Sequence, residues 1–319
     1  MNKTFTMTIK KVFLSILLFF SGLVVAFSQE AADSASAQPA KKPLEKSPFE
    51  SGIFMDYQTV NVTPAKTLEF ILQHRFGNIQ SGIKDIYGLW GASNIRLGLN
   101  FTPIKNLMIG IGTTKNYMVQ DLQVKYTFLH QRKGGCPLTI AYYGDLGLDT
   151  KTSNTGYGMD YKFSDRFSWY HEFMFARRFC KMFSMQVGLS YSHFNKVDTT
   201  VTNGVAPTND VASFSLLGRL KVSPQSSVIL SFEQPIVVNY DPAFVVKSPN
   251  HWLSIKSGVA PYQNVSLGWE ISTSTHTFQI FMSCANGIVP QYVTAKNNTG
   301  SFWNGYILFG FNLTRLWSF

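Results

Sequence analysis

Two histidines and three serines raise the question of catalysis. His171 and His193 lie in neighbouring segments that also carry Ser168, Ser190 and Ser192. A serine beside an imidazole suits acyl transfer, because the imidazole takes the hydroxyl proton as the oxygen attacks. Period-two alternation through both segments places the two histidines on one face and the three serines on the other. Opposite faces keep each nucleophile out of hydrogen-bonding reach of its base. A three-residue hairpin loop at Cys180–Met182 would pair Trp169 with His193 and His171 with Tyr191, giving a band of rings. His74 and His276 have no partner at a metal-ligand spacing, and no phosphate loop or nucleophile elbow occurs. The chain therefore predicts no catalytic group, no metal and no cofactor.

The face opposite the histidines carries different chemistry. Continued through the chain, the same parity collects Glu69, Gln73, Arg75, Arg96, Asp121, Lys125, Asp145, Glu172, Arg178, Arg219, Lys221, Glu233 and Glu270. Charges of both signs on one face of alternating strands can pair and stiffen a closed interior. They can equally line a hydrated path as an electrostatic filter. The leading candidates to line such a lumen are Glu69, Arg75, Arg96, Lys125, Glu172, Arg219, Glu233 and Glu270. Gly98, Gly110, Gly112, Gly188 and Gly268 share that face and leave room for long side chains; a simple hairpin register brings Arg96 to Gly112.

Twelve alternating segments position these residues: 67–75, 93–102, 107–115, 120–130, 138–149, 167–179, 183–194, 212–222, 227–234, 264–272, 277–285 and 305–317. In the second, Ile95, Leu97, Leu99 and Phe101 oppose Arg96, Gly98 and Asn100. The links sort by parity. Those after even-numbered segments are short, as at Pro103–Asn106 and Ser223–Ser226. Those after odd-numbered segments are long and rich in Gly, Asn and Pro, except near Asn116–Val119. Short turns at one end and long loops at the other, with an even strand count, are the habit of transmembrane β-barrels. The expected fold is all-β: a transmembrane antiparallel up-and-down barrel of twelve strands, or fourteen if residues 236–256 hide two more. Twelve tilted strands close to about 24 Å between backbones and leave a lumen of at most about 12 Å.

The flanks agree with export. Lys3, Lys10 and Lys11 precede an apolar run from Val12 to Phe27. That run is shorter than the roughly 20 residues of a spanning helix. It reads as a signal peptide over residues 1–28, cleaved near Ser28 and Gln29. Residues 29–48 read as a disordered periplasmic linker, and 49–66 as a periplasmic segment that covers or plugs the barrel. Residues 67–319 form the barrel itself. The final segment alternates up to Phe319, the terminal aromatic that outer-membrane assembly machinery would engage. Trp169, Tyr191, Trp317 and Phe319 are candidate lipid-interface aromatics.

Composition excludes other classes. The formal charge of +10 falls to +7 without the three signal lysines, and it is spread too thinly for nucleic acid. Charged residues are 14% and aromatics 15%, where an average globular domain carries about 25% charged residues. Three cysteines, Cys136, Cys180 and Cys284, cannot all pair internally. Cys136 and Cys180 fall at the same rim, so a bridge between those two stays open.

The pieces TLEFILQHRFG (67–77), SNIRLGLNFTPIKNLMIGIG (93–112), DLQVKYTFL (121–129), HTFQIFMSCANGIVPQY (276–292) and GFNLTR (310–315) occur in order. With them the chain resembles an outer-membrane β-barrel family, named only as a domain of unknown function and widespread in the Bacteroidota. The resemblance runs from about Phe49 to the end of the sequence; Cys284 stands where a small polar or apolar residue is expected. It implies the barrel and its membrane but no activity and no catalytic residues. Three functional readings follow. The first is a narrow porin-like channel for ions or small solutes. The second is a closed structural or docking subunit of a larger envelope complex, binding a protein partner through its loops or residues 29–66. The third is a lipid-modifying enzyme. All three place the chain among outer-membrane lipids.

Overall fold

The computed structural model describes residues 42–151, 162–196, 209–237, 261–297 and 300–319. The expected signal peptide and residues 29–41 of the expected linker lie outside the described residues. A short hairpin, β1 (Ile53–Phe54) and β2 (Tyr57–Gln58), comes first. Twelve long strands follow: β3 (Thr67–Asn78), β4 (Asn94–Ile104), β5 (Leu107–Thr114), β6 (Val119–Leu129), β7 (Thr139–Asp149) and β8 (Phe167–Arg178). The second half comprises β9 (Phe183–Phe194), β10 (Asp210–Lys221), β11 (Ser226–Val237), β12 (Asn264–Ser272), β13 (His276–Ser283) and β14 (Leu308–Ser318).

Each of these twelve pairs antiparallel with the next, and β14 pairs with β3, so the sheet closes on itself. Closure gives every strand two hydrogen-bonded neighbours and removes the edge that an open sheet would expose. The amide of Phe319 adds a bond to the Lys66 carbonyl at 3.0 Å, sealing the seam at its lower end. Because β11 pairs directly with β12, the ring holds twelve strands. Residues 238–256, most of the stretch that could have supplied two more, lie outside the described residues. The short link after β5 is a single 3-10 turn, Asn116–Met118, which explains the break in loop parity.

The burial pattern is inside out relative to a soluble protein. Along β4, Arg96, Asn100 and Thr102 are buried, while Leu97, Leu99 and Phe101 are exposed. In β8, Glu172 and Ser168 are buried, while Trp169, His171 and Phe173 are exposed. Apolar side chains facing outward around a closed sheet suit hydrocarbon as the outer solvent. The hairpin registers follow the alternation: Trp169 opposes His193, and His171 opposes Tyr191. A Cβ on Gly112 would lie 2.2 Å from Arg96 Nη2, so this glycine makes room for the guanidinium, as the register predicts.

Gly268 is the sharper steric case. A Cβ there would meet Phe281 Cβ at 2.5 Å and the Ile280 carbonyl oxygen at 2.7 Å, and neither atom can swing away. At Gly218 the nearest atom would be 4.0 Å distant. Gly268→Ala is expected to destabilise the barrel by about 1–3 kcal/mol, and Gly218→Ala to change it little. Urea midpoints of the two refolded variants check this, and equal midpoints would contradict the packing described.

Candidate functional site: the barrel interior

Residues 49–60 lie inside the barrel. Phe49, Ile53, Phe54, Met55, Asp56, Tyr57, Thr59 and Val60 are all at most 5% exposed. The sequence there shows no strand period, because most partners of this segment are wall side chains rather than a neighbouring strand. The wall supplies what the hairpin backbone lacks. Gln279 accepts from the Met55 amide at 3.0 Å and donates to the Ile53 carbonyl at 3.0 Å. Gln186 accepts from the Val60 amide at 3.0 Å and donates to the Gln58 carbonyl at 2.8 Å. Lys125 donates to the Gly52 carbonyl at 2.8 Å, and Asn312 to the Met55 carbonyl at 2.9 Å. Apolar contact adds to this, since Phe54, Met55 and Val60 share one buried cluster with Met174, Leu217, Ile229 and Phe281.

Asp56, at the hairpin tip, is the anchor. One carboxylate oxygen accepts from Arg75 Nε at 3.0 Å and Nη2 at 2.8 Å. The other accepts from Asn264 at 3.0 Å, Ser266 at 2.8 Å and Ser283 at 2.6 Å. Arg75 is fully buried; it also donates to Asn312 Oδ1 at 3.1 Å and lies over the Phe281 ring at 4.5 Å. The tip turns at Met55, which holds φ at 54°. That left-handed backbone disfavours a non-glycine residue, so the surrounding bonds must hold it.

A second element fills the other end. The helix α1 (Pro290–Ala295), in the link between β13 and β14, has all six residues buried. Gln291 donates to Asp145 at 2.8 Å and Thr294 to Glu233 at 2.7 Å. From its sequence this whole link reads as a long polar loop. The available signals were Pro290 at the first helical position and the apolar Ile288, Val289, Tyr292 and Val293.

All eight candidate lumen residues are buried and face inward: Glu69, Arg75, Arg96, Lys125, Glu172, Arg219, Glu233 and Glu270 are each at most 5% exposed. They do not form one site. Arg96 pairs with Asp121 through Nε at 2.9 Å and Nη2 at 2.5 Å. Arg219 joins Glu270 at 3.0 Å and Glu50 at 3.1 Å. Glu69 accepts from Asn100 at 3.0 Å, and Glu233 from Ser213 at 2.5 Å and Tyr57 at 3.2 Å. Glu172 accepts a long 3.4 Å bond from Ser215 and a hydrogen bond from the Tyr170 hydroxyl. Among the described residues Glu69, Asp145, Glu172 and Glu233 have no cation within ion-pair distance. Arg178 and Lys221 differ from the rest, being only partly buried at the short-link rim. Sequence reasoning missed Asp56 and Glu50, since nothing in residues 49–66 marked their faces.

Outside the barrel, the imidazoles and serines stay apart. His171 Nδ1 meets the Tyr142 hydroxyl at 2.7 Å and His193 Nδ1 meets Asp210 at 2.7 Å, while Ser190 bonds Ser213 inside at 2.6 Å. The candidate interface aromatics face out: Trp169, Tyr191 and Trp317 are 37–39% exposed and Phe319 81%. All three cysteines are free. Within the expected linker, Leu44 bridges Arg132 and the Glu45 amide bonds the Gln131 carbonyl at 2.9 Å. The described part of that segment is therefore tied to the link between β6 and β7.

Removing one partner of a buried ion pair costs about 3–5 kcal/mol, or roughly two to four orders of magnitude in an opening equilibrium. Asp56→Ala should accelerate hydrogen exchange at the Met55 and Thr59 amides by about that factor, leaving β8 and β9 unchanged. Unaltered exchange would mean the pair does not hold the hairpin.

Glu50, at the lower mouth, gives a pH dependence. Burial alone would raise its pKa, but Lys221 and Arg219 outweigh this and hold it below the ordinary 4.5. A depressed carboxylate stabilises above its unfolded pKa, and that contribution fades as pH falls through the folded value. The side chain is 42% exposed, so solvent screening keeps the contribution small. Protease sensitivity of residues 42–50 should stay flat from about pH 7 to pH 5 and rise below about pH 4. Glu50→Gln should abolish that step.

Solved structures of overall likeness include the NanC porin, with 8% identity, 78% of this chain and 98% of that chain covered, and a TM-score of 0.43. The KdgM porin gives 8%, 79%, 99% and 0.40. An outer membrane channel from Pseudomonas putida F1 gives 8%, 88%, 100% and 0.46. No curated protein matches the chain. The family described as "Membrane bound beta barrel domain (DUF5777)" matches residues 49–317, the whole span from the inner hairpin to the closing strand, and the chain belongs to that family.

Proposed function

We propose that this outer-membrane barrel is a narrow, cation-preferring channel for ions or small solutes, closed at rest by residues 49–60. One observation carries the reading: the charge balance of the interior. Asp56, Glu69, Asp121, Asp145, Asp149, Glu172, Glu233 and Glu270 are buried there, against Arg75, Arg96, Lys125 and Arg219. Among the described residues, these inward carboxyl groups outnumber the buried cations by eight to four. A barrel that stays permanently dry gains nothing from that excess, since a carboxyl buried without a cation must either keep its charge at a high desolvation cost or be held neutral. With the hairpin withdrawn, the same groups face water and favour a passing cation. The inner wall also keeps serines and glutamines that a hydrated path can use.

A second reading has its own support. The interior is filled from both ends, and the hairpin makes apolar as well as polar contacts with the wall. That favours a closed barrel serving as a structural or docking subunit of an envelope assembly. Among the described residues no serine is hydrogen-bonded to an outward histidine, which argues against the lipid-modifying enzyme. The Phe319 end would engage the assembly machinery, and the exposed aromatics would sit at the lipid interface.

Planar-bilayer recording separates the two main readings. The refolded mature chain should be silent, whereas Asp56→Ala, or removal of residues 29–66, should give conductance steps. In a potassium chloride gradient the opened variants should show a cation-selective reversal potential, reduced by Glu172→Gln. Silence in every variant, from protein shown to be folded, would sink the channel and leave the closed subunit.

A further inference from the structure

The link between β3 and β4 is built unlike a solvated loop. Ile83 is 76% exposed and Trp90 73%, and Ile86, Tyr87 and Leu89 are exposed beside them. Its backbone is held under strain to present them. Ile86 and Tyr87 take consecutive left-handed conformations with φ of 51° and 53°, costly for any side chain and most of all for a β-branched one. Specific bonds fix the strain. The Tyr87 amide donates to the Gly82 carbonyl at 2.7 Å, the Trp90 amide to the Asp85 carbonyl at 3.0 Å, and the Gly88 amide to Asp85 Oδ1 at 2.9 Å. A Cβ on Gly88 would lie 2.2 Å from the Gly77 oxygen, so only glycine lets the loop fold back this tightly on β3.

The result is an overhang. Between the loop and the outer barrel wall lies a cavity of about 600 Å³, with Ile86, Tyr87 and Leu89 on one side and Ile280, Phe309 and Phe311 on the other. No charged side chain lines it. Its floor belongs to the outward-facing apolar surface, so the groove is continuous with the face the barrel turns to hydrocarbon. A volume of that size is ordinary for a small-ligand site, which typically spans about 300–1,000 Å³. Lipid tails already surround such a wall, so burial from water is no drive for a chain to enter. Fixed shape is what a rigid overhang adds.

The geometry points to a dedicated site for one acyl chain of an outer-leaflet lipid, clamped between residues 83–90 and the β13–β14 wall. The occupant is a membrane lipid rather than a protein segment because the groove opens along the lipid face and is walled almost wholly by apolar side chains; of its polar lining residues, Gln279 and Asn312 turn their side chains to the inner hairpin.

Native mass spectrometry of the full mature protein, extracted from membranes in mild detergent, tests this. One lipid per barrel should persist through detergent exchange. Its occupancy should fall several-fold in Ile86→Ser/Leu89→Ser, whose heat-modifiable gel migration should stay that of the wild type. Equal retention in wild type and variant, or detergent alone in the wild type, would overturn the site. A second measurement does not depend on those substitutions. In a variant retaining only Trp90 of its tryptophans, fluorescence should be quenched by lipids brominated on the acyl chain and resist acrylamide. The opposite pattern would put the loop in water and end the proposal.

Discussion

A backbone that crosses hydrocarbon must satisfy every N–H and C=O without help from water, and the rest of this structure follows from how the chain meets that demand. The ladder from β3 round to β14 closes on itself, so the wall is satisfied by its own strands. Closure then forces a second problem. Side chains alternate, and if one face is apolar toward lipid the other must look into a small enclosed space. Here that face carries arginine, glutamate, glutamine and serine. Such groups in a dry interior require partners, and the chain supplies them from elements outside the barrel strands. The inner hairpin brings backbone carbonyls and amides as well as Asp56, and α1 brings Gln291 and Thr294.

Asp56 shows why this filling is specific. Its two oxygens accept from four wall residues on three different strands and their flanks, so they fix the depth and rotation of the hairpin tip together. A purely apolar plug could slide or turn within the bore at little cost. An ion pair backed by three neutral donors cannot, because moving any one partner strands a buried charge. The left-handed Met55 is tolerated on the same account, being held from both sides by Gln279 and Asn312.

The wall was legible in the sequence and its contents were not, for a physical reason. A strand with one face to lipid imposes a period of two that composition cannot hide, and segment by segment that pattern located all twelve strands. The pattern matches β9 at both ends, and it differs from β3, β11 and β14 by about three residues at one end, next to long links. The sorted links identified which end was which. Residues 49–60 carry no such signature. Their surroundings are apolar or polar according to which wall residue stands opposite, so Phe49, Asp56 and Tyr57 follow no repeat. The helix at Pro290–Ala295 is too short to display a helical period and is buried on every side. Inward charges could be listed from parity, but whether each meets an opposite charge depended on these two insertions.

The two insertions differ from the wall in a way that bears on the proposed opening. Leu44 bridges Arg132 and Lys66 leads into β3, both at the short-link mouth, so the hairpin enters and leaves through the same opening. The helix α1 likewise departs from and returns to the opposite mouth, between β13 and β14. Neither threads the barrel, and neither contributes a rung to its ladder. Withdrawal of the hairpin would therefore cost side-chain bonds and apolar contact while leaving the closed sheet intact. Water entering behind it can replace those bonds one at a time, since the wall partners are glutamine, asparagine, serine and lysine. The ion pairs are the exceptions: Glu50, 42% exposed, is screened by solvent and leaves Arg219 and Lys221 at little cost, whereas the fully buried Arg75–Asp56 pair leaves two charges to hydrate together. If the barrel opens as proposed, that pair would set the height of the barrier, and the carboxyl excess around it would favour cations once the barrier is crossed.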